Sequence, residues 1–176
     1  YGAVAQNFGQ ACSLEARFID NGDGTITDRW TGLMWEKLSD DLGIHDKDDG
    51  YAWASGNPLK ILALNATAFA GYADWRLPTF DELVELVDLT TTEPTTYSAF
   101  NSNCSLFCTV LSCSCTLSQN DTSSIYWTAD TYVVDANEAL AIRFRTGEWV
   151  PSDKRNTWVV RAVRNATVTP TPTPAP

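Results

Sequence analysis

The sequence predicts an α+β domain with an antiparallel sheet, two helices and one long loop stapled by disulfides. Three observations predict it. Apolar residues alternate with polar ones over 17–37 and in three runs between 125 and 164, the period of half-buried strands. Between these regions, apolar residues recur at helical spacing over 59–70 and 79–89. The segment 90–124 is rich in Thr, Ser and Cys and has neither period.

In chain order, residues 1–16 mix small and polar residues and read as an arm. Residues 17–37 form a meander, with Phe18, Ile26, Trp30 and Trp35 as apolar positions and Asn21-Gly22-Asp23-Gly24 as the turn. Residues 38–50 are an acidic loop. Leu59, Ile61, Leu62, Leu64, Ala68 and Phe69 mark the first helix. Trp75 and Leu77 alternate as a short strand that Pro78 ends. Thr79 is then an N-cap with Glu82 three residues on, a capping box that opens the second helix. Strand-like runs follow at 125–133, 139–145 and 157–164. From Thr167 the chain alternates Thr and Pro, a polyproline II tail. The organisation is an arm (1–16), one domain (17–165) and a tail (166–176).

Several blocks occur together: Phe18 to Asp28, Thr31-Gly32-Leu33-Met34-Trp35-Glu36-Lys37, Gly71 to Leu83, Tyr126-Trp127-Thr128-Ala129, Phe144-Arg145-Thr146-Gly147 and Val159 to Arg164. In this order they resemble the C-terminal domain of the Legionella collagen-like adhesin, over roughly residues 17–165. The resemblance implies a C-type-lectin-like fold in secreted and surface proteins, linked to adhesion and glycan binding, without shared catalytic residues. The cysteine-rich insert and the Thr-Pro tail depart from the family pattern.

Composition narrows the function. The chain has 176 residues, 44% of them hydrophobic, and seven Trp, enough for one sizeable core. A net charge of −10 disfavours nucleic acid and anionic membrane surfaces and leaves cations, neutral glycans and protein partners open. No apolar run is long enough to span a membrane as a helix. No G-x-S-x-G, H-E-x-x-H or phosphate loop occurs, and His45, the single histidine, sits in the acidic loop as an expected surface residue. A non-enzymatic protein is expected.

Five cysteines favour an oxidising, extracellular location. Cys104, Cys108, Cys113 and Cys115 follow C-x3-C-x4-C-x-C, which is not a standard zinc knuckle; disulfides are expected, with Cys12 a further candidate partner. Two acidic groups have oxygens spaced as a calcium loop needs them: Asp20, Asp23 and Asp28 in the first turn, and Asp46, Asp48 and Asp49 in the acidic loop. A hairpin turn and a solvated loop account for the same residues. Trp35, Trp75 and Trp127 are assigned to the core, while Trp53 and Trp149 beside loops are candidate glycan platforms. Asn65, Asn103, Asn120 and Asn165 begin N-glycosylation sequons, and Thr169, Thr171 and Thr173 are candidate O-glycan sites.

The expected function is a secreted surface subunit that assembles with copies of itself into a fibre or pilus-like filament. The arm around Val4 to Phe8 would add as a strand to a neighbour's sheet edge. The alternative is a glycan-binding adhesin domain on a Thr-Pro stalk.

Overall fold

The computed structural model describes residues 16–54, 58–119 and 124–166. The expectations on Cys12, Val4, Phe8, Asn120, Thr169, Thr171 and Thr173 lie outside these residues.

The meander forms as predicted. Strands β1 (Phe18–Asp20), β2 (Thr25–Asp28) and β3 (Leu33–Glu36) pair antiparallel in succession. The turn between β1 and β2 needs glycine at Gly24: its φ is +92°, and a Cβ there would sit 2.8 Å from Val110 Cγ2. The last strand, β9 (Val163–Asn165), closes this sheet on β3, giving the order β1-β2-β3-β9. A second sheet is the antiparallel meander of β5 (Ile125–Thr131), β6 (Glu138–Arg143) and β7 (Glu148–Asp153). A two-stranded ribbon pairs β4 (Tyr51–Ala52) with β8 (Thr157–Trp158). The mixed architecture agrees with the α+β class.

Both helices are shorter than predicted. Helix α1 spans Leu59–Ala66, buries Ile61 and Leu64, and leaves Leu59 and Leu62 exposed. It stops because Ala68 and Ala70 adopt φ of 49° and 52°, which no helix continues through. Helix α2 covers Phe80–Val84 rather than 79–89. Its capping box is present: Thr79 Oγ1 accepts from the Glu82 amide, and the Thr79 amide donates to Glu82 at 2.8 Å. Beyond α2 the backbone turns away, because Val87 bridges Thr96 and the Asp88 amide donates to Thr95 O.

The predicted strand 157–164 is divided between two sheets. Thr157–Trp158 serves the ribbon and Val163–Asn165 serves the first sheet. Between them, Val159 exchanges hydrogen bonds with Ile125 and Trp127. This crossing segment knits the sheets together, and Arg76 of the Trp75–Leu77 elbow pairs both its amide and carbonyl with Val163. Trp35, Trp75 and Trp127 are buried, as assigned. Trp30, expected among the apolar positions of the meander, is 76% exposed, with the Arg17 guanidinium 4.8 Å over its ring.

The insert carries two disulfides, Cys104–Cys115 and Cys108–Cys113, so the predicted staple is present. It is tied to the acidic loop by the Cys115 amide on Leu38 O and by reciprocal bonds between Asp40 and residues 107–108.

Candidate functional site

The acidic groups are engaged within the protein. In the first turn, Asp20 receives Lys37 Nζ at 2.7 Å, Asp23 accepts from the Thr25 amide and hydroxyl, and Asp28 is buried against Arg17 at 2.8 Å. These are the bonds of a capped hairpin turn rather than an open ligand ring. In the acidic loop, carboxylate oxygens of Asp40, Asp46 and Asp48 lie within 4.8 Å of one another. Lys47 supplies the cation there. Its buried ammonium lies 3.1 Å from Asp40 and 2.9 Å from Asp48. Asp46 accepts from the Leu42 and Asp48 amides, and Asp49 bonds the Tyr51 hydroxyl. Burial alone would raise the Asp48 carboxyl, but Lys47, the Gln119 amide and Ser118 hold it below the ordinary range. A calcium ion would have to displace this ammonium.

His45 is not a free surface histidine. Its Nδ1 lies 2.7 Å from Glu36 Oε1, and its ring stacks 4.3 Å from Phe69. Glu36 is completely buried and also meets Lys60 Nζ at 3.0 Å and the Ala162 amide at 2.9 Å. Arg161, buried below, donates to the carbonyls of Glu36 and Cys115 and to Thr116. Burial pushes the Glu36 carboxyl up, but Lys60, His45 and the amide win, so it ends below its ordinary value. Burial lowers Lys60 and Arg161. The cluster ties β3, α1, the acidic loop and the crossing segment together. Each of these groups is engaged by a structural partner.

The two candidate glycan tryptophans separate. Trp53 is 7% exposed, donates its indole N–H to Thr128 O at 2.8 Å, and has Lys154 Nζ 4.2 Å over its ring. It offers no free ring face, so the platform expectation is corrected there: packing under β5 claimed it. Trp149 on β7 is 53% exposed. With Phe80, Tyr132, Val133 and Leu140 it lines a cleft of about 230 Å³. Phe80 is held at one wall because its amide donates to Asp130 at the end of β5. Leu140 pairs with Pro151 and Ile142 with Trp149, which puts Leu140 and Trp149 on the same face of the sheet. Tyr132 stands 6.3 Å from the Trp149 ring, and Val133 is 95% exposed at the rim. The predicted strand 125–133 therefore ends at Thr131, and its last residues form this rim.

A polar hollow of about 530 Å³ is lined by Asp135, Ala136, Asn137, Asp153, Lys154 and Arg155. Its groups satisfy one another. Lys154 donates to Thr131 and Ala136, Asp135 accepts from Asn137, and Arg155 pairs with Asp153 and holds it at about 2. Among the sequons, the Asn65 side chain both donates to and accepts from the Trp75 backbone, so it is committed to the elbow. Asn103 and Asn165 are exposed.

The chain matches the Lcl C-terminal domain family over residues 24–164, which includes the second sheet, the first sheet apart from β1, the insert and the cleft. The chain belongs to this family. No curated protein and no solved structure shows significant similarity to it. Membership places the domain in a class of secreted, surface-associated proteins and brings no catalytic role. Among the described residues no helix is long and apolar enough to cross a membrane. Of the cleft, sequence reasoning found Trp149 alone. Phe80, Tyr132, Val133 and Leu140 carry no signal of their own, because ordinary core residues have the same character.

Proposed function

We propose that this Lcl C-terminal domain is an extracellular, non-enzymatic subunit of a self-assembling fibre, joined head to tail to copies of itself. The observation that carries this reading is the cleft. Its walls are aromatic and aliphatic, with the Tyr132 hydroxyl and the Trp149 indole N–H as the side-chain polar groups. Sugar sites set an aromatic face among several convergent hydrogen-bonding groups, and those nearby are spent on each other. At about 230 Å³ the cleft is also smaller than the ~300–1,000 Å³ of small-molecule sites. It suits one or two protein side chains. On a body of net charge −10, an uncharged contact is also the one that like-charged copies can share.

The terminal arm adds to this contact. Val4 and Phe8 are four residues apart, so in an added strand both face the same side. Electron microscopy of the intact protein should show filaments. Deletion of residues 1–16 should leave folded monomers. An arm-deleted protein that still forms filaments would remove the arm from the mechanism.

The half-exposed Trp149 ring favours one second reading, a glycan-binding adhesin. If the intact chain stays monomeric at all concentrations, binding of neutral oligosaccharides that is lost in Trp149→Ala becomes the test of that reading.

A further inference from the structure

The insert presents a second apolar feature, and nothing in the described residues covers it. Leu106, Phe107 and Leu111 are 65%, 68% and 65% exposed at its tip. Leu42 of the acidic loop, 84% exposed, follows two residues after Asp40, whose backbone pairs with residues 107–108. Phe107 and Leu42 both have φ of +63°. For bulky residues that backbone is strained, and strain of this kind persists only where the surroundings impose it. Here the surroundings are two disulfides and the 2.6 Å bond from the Phe107 amide to Asp40 O. The result is a rigid knob that holds apolar side chains out in water. Such display costs stability and serves no packing among the described residues.

The insert that carries Phe107 is also uncharged. No charged residue occurs between Glu93 and Asp121 in a chain of net charge −10. The apolar cleft around Trp149 is the other large neutral feature. The two lie at opposite ends of β5. Thr116, next to Cys115, accepts the Tyr126 hydroxyl at the start of the strand, whereas Phe80 is fixed to Asp130 at its end. Seven residues of strand separate them, about 20 Å. A knob therefore cannot reach the cleft of its own chain.

We infer that the knob of one copy, led by Phe107, inserts into the Trp149 cleft of the next. This deepens the assembly reading and rests on it. The contact joins two different patches on one body, and repeated head to tail without closing it builds a filament. An aromatic anchor in a pocket lined by aromatic residues is the usual make-up of an interface hot spot. Preorganisation by the disulfides lowers the ordering cost of docking.

The test uses Phe107→Ala and Trp149→Ala in the full chain. Both residues are substantially exposed, and unchanged melting temperature and near-ultraviolet dichroism establish that each variant is folded. Each variant alone should raise the critical concentration for filaments at least about tenfold, the scale of an anchor residue. The decisive arm is mixing. Phe107→Ala keeps an intact cleft and Trp149→Ala an intact knob, so an equimolar mixture should give one-to-one dimers in analytical ultracentrifugation and nothing longer. Filaments from either variant at the wild-type threshold, or a mixture that stays monomeric, would overturn the knob-and-cleft contact while leaving fibre assembly standing. Wild-type protein that never assembles would remove both.

Discussion

At the scale of single residues, the buried Glu36–Lys60 pair dominates. Both side chains are fully buried, and Glu36 takes three donors. Glu36→Gln leaves Lys60 buried with its ion pair broken, and unfolding should cost about 3–5 kcal/mol less, read by denaturant titration. The pair also sets an acid limit. Glu36 is held below its ordinary value in the folded state, so it binds fewer protons folded than unfolded. Its contribution is present above the unfolded pKa, near 4.5, and is lost as pH falls through the folded value. Asp20, Asp28, Asp48 and Glu82 are lowered in the same sense and act together with it. The melting temperature should therefore hold steady down to about pH 5 and fall below it. Lys47 makes a separate point. Because its ammonium already balances Asp40 and Asp48, adding calcium or a chelator should leave the melting temperature unchanged. A calcium-dependent rise would show that the ion displaces Lys47.

At the scale of elements, α2 shows how little sequence a short helix needs. Five residues cannot hold a helix by propensity alone, so the ends and the packing must do it. Thr79 caps the start, and Glu82 reaches back while gripping Arg76 with both carboxylate oxygens at 2.7 Å. Thr79→Ala should cost about 1 kcal/mol of stability, measured by chemical unfolding. That helix carries Phe80, so the same cap also sets one wall of the cleft. The insert is the other element that cannot stand alone. It has no repetitive structure of its own beyond the turn at Ser98–Phe100, and its disulfides replace the missing hydrogen-bond ladder. Replacing Cys104 and Cys115 by Ser should lower stability by about 2–4 kcal/mol in thermal or denaturant unfolding.

At the scale of the whole molecule, the two apolar features lie at opposite ends of β5 on an acidic body. Like charge keeps copies apart except where both surfaces are uncharged. The proposed contact thus carries directional information, and assembly should depend steeply on concentration and be favoured by added salt, which screens the like charge. Deleting residues 166–176 should leave the filament threshold within about twofold of wild type, read by light scattering, because Pro170, Pro172, Pro174 and Pro176 lack the donors a strand needs.

Much of the fold was legible in the sequence itself. Alternation in residues 17–37 and 125–145 predicted strands because those strands bury one face. Thr79 and Glu82 predicted a helix start because capping is local chemistry. Clustered cysteines predicted a staple, and Trp35, Trp75 and Trp127 predicted core positions. Tertiary structure alone decided the rest. Nothing in the sequence marks Glu36, Lys60 and Arg161 as buried charges; four segments converge and remove their water. The strand Glu148–Asp153 was missed because an edge strand can carry Pro151 and expose Trp149, which blurs its period. The helix ends at Ala66 and Val84 were set by where the backbone had to turn, not by residue preference. Trp53 and Trp149 both sit beside loops in the sequence. Only the packing of β5 against the ribbon buried one, and only the gap between α2 and the edge strand left the other open. A cleft is a space between elements, and no single stretch of residues encodes it.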